Sequence, residues 1–169
     1  IYPFKILGDE TIVLPPNFKP FLKSLIHVFR NLIDHGIEDI ETRINLDKNE
    51  NGSIICNFKI EEDSLIILLS DDGGGIDKEK IKAKVIKENM LSAEEFDKMS
   101  DERIFGFIFY ESFSTSEKIT DISGRGIGLS AVKNELVKIK GSVEIKSIIN
   151  EGTTFIFKLP YKREGIRNV

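Results

Sequence analysis

The hydrophobic pattern of the N-terminal part predicts two short strands followed by one long amphipathic helix. Residues 4–7 and 11–14 are strand-like, a glycine-containing turn separates them, and Pro15 and Pro16 end the pair. Asn17 is the expected N-cap of the helix, and Gly36 is placed to end it. Its apolar positions recur every three or four residues and form one stripe, namely Phe18, Phe21, Leu22, Leu25, Val28, Phe29, Leu32 and Ile33.

Four further segments have the pattern of strands. Residues 54–60 alternate apolar and polar positions, which suits a strand with one buried face, whereas residues 65–69 are apolar throughout and suit a central strand. The last two predicted strands cover residues 143–148 and 154–159, and the second of them again alternates apolar and polar positions. Alternation in the first and last strands predicts a sheet with one solvated face.

The helical and irregular segments lie between these strands. Residues 78–89 read as a charged helix, Ser92 followed by Glu95 predicts a capping box before a short helix, and residues 129–139 form another helix. Residues 110–124 are rich in Ser and Thr without apolar periodicity, which predicts a mobile loop. The order of elements predicts an α+β fold, a two-layer sandwich of a mixed sheet with helices on one face.

Composition narrows the class of protein. A length of 169 residues with 40% hydrophobic positions suits a single domain spanning 1–169, and a start at Ile1 suggests a piece of a longer parent. The net charge of −4 and the lack of a basic, aromatic cluster argue against a nucleic-acid partner. A single cysteine, Cys56, fits the reducing cytoplasm, and the parent could still be membrane-associated through parts beyond this segment.

The first candidate site is a polar row on the long helix. His27, Asn31 and His35 are spaced i, i+4 and i+8, so α-helical geometry would place them along one edge beside the apolar stripe. An isolated Asn or His beside an apolar stripe is most often a solvated residue at the boundary of the buried helix face. An asparagine carbonyl is a hard oxygen donor suited to Mg²⁺, which takes few protein ligands and keeps waters or phosphates.

The second candidate site, Asp71-Asp72-Gly73-Gly74-Gly75, follows the most apolar strand. Asp and Gly are common in tight turns, but three consecutive glycines exceed what a turn requires. They allow the backbone to approach a flat ligand, and Asp71 can accept a hydrogen bond from an exocyclic amine such as that of adenine.

The third candidate is Gly124-Arg125-Gly126-Ile127-Gly128, which precedes a helix whose free N–H groups could hold phosphate. The run 126–131 also fits a loose dinucleotide fingerprint, but the segment before it is poor strand, which argues against a Rossmann site. No Walker sequence occurs in the chain. Gly152-Thr153, at the start of the last strand, is by itself an ordinary turn.

In combination and order, these motifs resemble the family of histidine kinases, gyrase and Hsp90 ATPase domains and serine-kinase anti-sigma factors. The resemblance covers roughly residues 18–160. Residues 25–31 and 34–38, together with Phe113-Ser114-Thr115 and residues 123–126, look like the chemotaxis-type histidine kinases. Glu111-Ser112 and Leu129-Ser130 differ from the Pro-Gly and Met-Asp usual at those positions.

The resemblance implies ATP and Mg²⁺ as cofactors and assigns roles residue by residue. Asn31 would ligate Mg²⁺, Asp71 would bind the adenine amine, and the other implied ligand contacts are Gly73, Gly75, Ile76, Thr153, Gly124, Gly126, Gly128 and Leu129. Phosphate contacts would come from His27, His35, Arg30, Lys118 and Arg125, with His27 and Asn31 as the catalytic pair.

The function implied is transfer of the ATP γ-phosphoryl group to a histidine on another domain or protein. The expected partners are a histidine-bearing phosphotransfer or dimerisation domain, in cis or in trans, and a response regulator; a dimeric parent is compatible with this. Two alternatives remain open: an ATP hydrolase of the gyrase type and a nucleotide-sensing module without catalysis. A neutral His27 could act as general base toward water, which keeps hydrolysis possible.

Overall fold

A computed structural model describes residues 4–8, 12–110, 113 and 128–162. In that part of the chain, one mixed sheet contains the strands β1 (Phe4–Gly8), β2 (Ile54–Glu61), β3 (Ser64–Asp71), β4 (Ser142–Ile148) and β5 (Gly152–Pro160). Their order is β1-β2-β3-β5-β4, with β1 parallel to β2 and every other neighbouring pair antiparallel. The predicted α+β fold with a mixed sheet is confirmed.

The described helices are α1 (Lys19–Ser24), α2 (Ile26–Asn31), α3 (Ile40–Asn45), α4 (Lys78–Lys87), α5 (Ala93–Asp97), α6 (Asp101–Gly106) and α7 (Leu129–Lys138). The predicted helices correspond to α4, α5 and α7. The capping box also forms, since the Ser92 backbone N–H donates to Glu95 Oε2 at 2.8 Å and Ser92 Oγ accepts from the Glu95 N–H at 3.3 Å. Sequence analysis missed α3 and α6, which are one to two turns long and lack an apolar stripe.

The main core lies between the helices and one face of the two central strands. Leu65, Ile67 and Leu69 of β3 and Phe155, Phe157 and Leu159 of β5 are buried, and the Phe21 ring of α1 meets Phe157 edge-on at 5.4 Å. On the opposite face the Ser70 and Thr154 hydroxyls hydrogen-bond at 2.9 Å and Lys158 is exposed. The central position of β3 and the alternation of β5 are therefore confirmed.

The predicted N-terminal hairpin is wrong. Residues 12–14 have no regular secondary structure, and Thr11 lies outside the described residues. The Val13 carbonyl instead accepts a hydrogen bond from the Tyr161 hydroxyl at 3.0 Å. β1 pairs in parallel with β2 at the edge of the sheet, from Phe4 opposite Ile54 to Gly8 opposite Phe58, and all five of its residues are exposed. The predicted alternation of residues 54–60 is confirmed at the start of β2, where Ile54 and Cys56 are buried and Ile55 is not.

The predicted long helix is helical from Pro16 to Gly36 but is not one regular α-helix. Asn17 is not the N-cap, because it lies inside a 3₁₀ turn over Pro16–Phe18 that begins after Pro15. The backbone N–H of Leu25 is shared between the carbonyls of residues 21 and 22, and Leu32–Gly36 form a π-type turn closed by Ile37 N–H to Leu32 O at 3.0 Å.

The apolar stripe of this segment is largely confirmed. Phe18, Phe21, Leu25, Val28 and Leu32 are buried, whereas Ile33 is 47% exposed because the π-type turn departs from the 3.6-residue period. Gly36 ends the helical segment as predicted.

The predicted mobile loop at 110–124 lies outside the described residues except for Tyr110 and Phe113. Phe113 is buried, with its ring centroid 6.1 Å from that of Phe107 and 4.9 Å from the Lys84 ammonium.

Among the described residues, no helix has the length and apolar character needed to cross a bilayer.

Candidate functional site

Asp71, the last residue of β3, has a buried carboxylate that is only half satisfied. Its Oδ1 accepts the Gly73 backbone N–H at 2.8 Å, whereas its Oδ2 is buried without a hydrogen-bond partner in the described part of the chain. Burial raises the pKa of Asp71 to about 6, against the opposing effect of the Gly73 and Thr153 backbone N–H groups. Since a buried acceptor without a partner is costly, Oδ2 is suited to receive a donor from a ligand.

The glycines after Asp71 are required by close backbone approaches. A Cβ at Gly73 would lie 2.0 Å from the Gly36 carbonyl oxygen, and one at Gly75, where φ is +74°, would lie 2.3 Å from the Ile148 carbonyl oxygen. The Gly74 N–H donates to Gly36 O at 2.8 Å, and the Gly74 carbonyl accepts from the Asn150 N–H at 2.9 Å. The loop over residues 71–75 is thus held between the end of the helical segment and the β4–β5 turn.

Thr153 and Ile76 are fixed on the β4 side of this loop by a serine that sequence analysis missed. Thr153 is buried and lies opposite Asp71 in the β3–β5 register. Ser147 Oγ lies 3.0 Å from Thr153 Oγ1, accepts the Ile76 N–H at 2.8 Å and donates to Gly152 O at 3.1 Å. Ser147 lies opposite Thr153 in the β4–β5 register, so its role becomes apparent only once that strand pairing is known.

The helical segment that contains Asn31 contacts the Asp71 loop at its C-terminal end. Asn31 is the last residue of α2 and is half-buried, and His27, one turn earlier, is half-buried as well. The segment reaches the Asp71 carboxylate at Gly36, where an added Cβ would lie 3.4 Å from Asp71 Cγ. His35 is exposed and lies in the π-type turn, so α-helical spacing applies to His27 and Asn31 but not to His35.

Arg30, another predicted phosphate contact, is an exposed residue of α2, and two further described candidates lie at the N-terminus of α7. Gly128 is the N-cap residue, without a side-chain cap, and Leu129 is the buried first residue of this ten-residue helix. The first N–H groups of a helix and its dipole favour an anion there. Four other predicted site residues, Lys118, Gly124, Arg125 and Gly126, lie outside the described residues.

A partly buried ion-pair cluster next to the glycine loop was not predicted from the sequence either. It consists of Glu38, Arg43, Lys48 and Asp72. The Arg43 guanidinium, 1% exposed, donates to Glu38 Oε2 at 2.9 Å, to Asp72 Oδ2 at 3.0 Å and to the Asn49 carbonyl at 2.6 Å. Although burial opposes ionisation, hydrogen bonds from Lys48 and Arg43 hold the pKa of Glu38 below its usual value. These four charges have no periodic spacing in the sequence, so no pattern indicated them.

The chain has counterparts among known proteins. Residues 22–163 match the family model described as histidine kinase-, DNA gyrase B-, and HSP90-like ATPase. The chain belongs to this family. The predicted membership of an ATP-using family of kinases and ATPases is confirmed.

Relatives within the family are chemotaxis kinases. The chain is 40% identical over 155 residues to the chemotaxis protein CheA of Bacillus subtilis, covering 92% of this chain and 23% of that protein. It is 37% identical over 155 residues to the sensor histidine kinase CheAY of Helicobacter pylori, covering 92% of this chain and 19% of that protein. The chain thus spans less than a quarter of the length of these curated relatives. The predicted likeness to chemotaxis-type kinases is confirmed.

A solved structure shows the same fold. The catalytic domain of the histidine kinase ThkA aligns with a TM-score of 0.55 at 19% identity, covering 93% of this chain and 76% of the other. At this identity, the ATPase-domain likeness concerns the fold alone.

Proposed function

We propose that this domain binds Mg²⁺–ATP and transfers the γ-phosphoryl group to a histidine on another domain or protein. The observation that supports this best is Asp71 Oδ2, a buried acceptor without a partner beside a loop that admits only glycine at two positions. Such an acceptor pairs with the exocyclic amine of adenine, and the glycines let a flat base lie against the backbone. Membership of the ATPase family supports ATP as the nucleotide.

In this proposal the contacts are divided between the base and the phosphates. Asp71, Gly73, Gly75, Ile76 and Thr153 surround the adenine. The phosphate end is assigned to Asn31, His27, His35, Gly128 and Leu129 and, outside the described residues, to Lys118, Gly124, Arg125 and Gly126.

The residues fit a Mg²⁺ ion held mainly by nucleotide and water, because Asn31 supplies one neutral oxygen ligand from the end of α2. Bound there, the ion would neutralise charge on the phosphates. His27, one helical turn before Asn31, would contact the same phosphates. Positioning and charge neutralisation account for most of the catalysis of phosphoryl transfer.

The acceptor histidine lies elsewhere. The chain contains two histidines, His27 and His35, and both belong to the helical segment that contacts the proposed adenine loop. This segment is anchored by the buried side chains of Phe21, Val28 and Leu32, so we do not expect either histidine to swing out and attack the γ-phosphorus in line. We therefore propose a histidine-bearing phosphotransfer or dimerisation domain as the acceptor and a response regulator downstream.

ATP affinity is expected to fall as the pH is lowered through about 6, because Asp71 then becomes protonated. An adenine amine donating to Oδ2 favours the ionised carboxylate, so the pKa of Asp71 should be lower in the complex than in the free protein. Binding below pH 6 would then release a proton, and the affinity would drop by up to about tenfold per pH unit. Calorimetric titration from about pH 5 to about pH 8 measures the ATP affinity at each pH.

The control is Asp71→Asn, in which the titration of the nucleotide phosphates is unchanged. The difference between the two pH profiles therefore isolates the carboxylate. Parallel profiles for both proteins would show that Asp71 does not touch the bound nucleotide.

Asn31→Ala is expected to weaken ATP binding chiefly when Mg²⁺ is present, since the proposed role of Asn31 is to hold the metal. An exposed asparagine, Asn134 on α7, provides the matched control Asn134→Ala, which should bind like the wild type under both conditions. Titrations with Mg²⁺ and with a chelator measure the two affinities. Equal losses in both would mean that Asn31 serves the fold rather than the metal.

A further inference from the structure

The peptide group between Asp72 and Gly73 is hydrogen-bonded both at its carbonyl oxygen and at its N–H. Its carbonyl oxygen accepts from Lys48 Nζ at 2.8 Å and from the Arg43 guanidinium at 3.3 Å. Its N–H, the Gly73 N–H, donates to Asp71 Oδ1 at 2.8 Å. Because the C=O and N–H of a trans peptide point in opposite directions, the two cations on one side orient the donor toward Asp71 on the other. Cations on the carbonyl also polarise the peptide and strengthen its N–H as a donor.

This peptide sets the direction of the unpaired carboxylate oxygen. A carboxylate is planar, so fixing Oδ1 on Gly73 N–H restricts where Oδ2 points. Lys48 adds a second restraint on the same loop, since its ammonium also donates to the Gly73 carbonyl at 2.8 Å.

Lys48 is not available as a phosphate ligand. Its three N–H donors are matched by three acceptors, namely Glu38 Oε1 at 2.7 Å and the carbonyls of Asp72 and Gly73. Two cations and two carboxylates also give the ion-pair cluster no net charge. The ion-pair cluster can therefore affect a bound nucleotide only by fixing the conformation of the loop over residues 71–75.

The cluster also ties the loop to the neighbouring chain segments. Glu38 follows the π-type turn, Arg43 lies on α3, and the Ser53 N–H just before β2 donates to Asp72 Oδ1 at 2.8 Å. The side chains of Glu38, Arg43 and Lys48 are 11%, 1% and 15% exposed, so the pairs that Glu38 forms with Arg43 and Lys48 are largely shielded from solvent, whereas the Asp72 side chain is 43% exposed. Shielded pairs are screened much less by salt than surface pairs.

We infer that Lys48, supported by Glu38 and Arg43, is a positioning residue that sets the base selectivity of the nucleotide site. It orients the Asp72–Gly73 peptide, and that peptide orients the Asp71 carboxylate toward an exocyclic amine on a purine. The inference rests on the proposed function, in which Asp71 receives the adenine amine.

The test compares ATP with ITP, whose base has a carbonyl oxygen where adenine has the amine. Wild-type protein is expected to prefer ATP by at least about tenfold, because Asp71 accepts a hydrogen bond from an amine and repels an oxygen. Lys48→Met is expected to lower that preference by at least about threefold, mainly through weaker ATP binding. The ratio of the two dissociation constants is independent of the folded fraction, so a partly destabilised variant still gives an answer.

Two further variants complete the experiment. Glu38→Gln, which keeps the shape of the side chain but loosens Lys48, should lower the preference in the same direction by less. Lys78→Met removes a lysine paired with Asp101 at 2.9 Å on the surface and should keep the wild-type ratio.

An unchanged ATP-to-ITP ratio in Lys48→Met would overturn the inference, even if both affinities fell together. A wild-type protein without any preference for ATP would instead overturn the assignment of adenine to Asp71 and, with it, the proposed function. A selective loss of preference in Lys48→Met alongside a normal Lys78→Met would support the inference.

Discussion

Asp71→Asn is expected to weaken ATP binding by about ten- to a hundredfold at neutral pH. The substitution replaces an ionised acceptor by an amide whose NH₂ group can face the adenine amine, and loss of a charge-assisted hydrogen bond costs about 1.5–3 kcal/mol. Isothermal titration calorimetry with Mg²⁺–ATP measures the change. An unchanged affinity would remove Asp71 from the base-binding site.

The same variant should not lose stability in the absence of nucleotide. Burial raises the pKa of Asp71 from its ordinary 3.8 to about 6, so the native state binds this proton more tightly than the unfolded chain. The free energy of unfolding therefore falls as Asp71 ionises between these two values, and above about pH 6 the charged form is a net cost. Removing the charge at neutral pH should leave the unfolding free energy equal or higher. Chemical denaturation of both proteins tests this and separates a binding defect from misfolding.

Gly73→Ala is expected to reduce ATP affinity by at least about tenfold, because the loop must move to make room. The added Cβ would lie 2.0 Å from the Gly36 carbonyl oxygen and 2.8 Å from Asp71 Oδ1. The Gly36 carbonyl can make room only if the helical segment shifts, and Asp71 Oδ1 only if the carboxylate moves. Titration calorimetry measures the affinity, and denaturation measures the accompanying loss of stability.

Gly74→Ala is the matched control, one residue further along the same loop. Its added Cβ would meet nothing closer than the Glu38 side chain at 3.7 Å, and neither glycine has a positive φ. The two substitutions thus differ in the space available and not in backbone conformation. Equal effects of both substitutions on ATP affinity would contradict the explanation by close contact with Gly36.

Strong local signals are what made parts of the fold predictable. The apolar run in β3, the alternation in β5 and the Ser92 capping box each specify an element without reference to distant residues. The parallel pairing of β1 with β2 was not predictable in this way, because it joins residues about fifty positions apart. The π-type turn at Leu32–Gly36 depends on tertiary contacts of Gly36 with the loop and has no local signature.

The candidate site was predictable where a motif concentrates unusual residues. Asp71 and the glycines after it were found because three consecutive glycines exceed the needs of a turn, and the structure gives Gly73 and Gly75 specific steric reasons. Ser147, Arg43 and Lys48 were missed because each is an ordinary polar residue whose role arises only from strand register or from folding of distant segments.

Phosphoryl transfer from γ-labelled ATP tests the proposed histidine kinase function most directly. The chain is incubated with Mg²⁺ and labelled ATP, first alone and then with a histidine phosphotransfer domain encoded in the same gene or operon. We expect acid-labile, base-stable label on the partner only, and at ATP concentrations below the wild-type dissociation constant Asp71→Asn should lower the labelling by about ten- to a hundredfold. Label on the chain itself, or release of inorganic phosphate with no transfer to the partner, would contradict the proposed histidine kinase function.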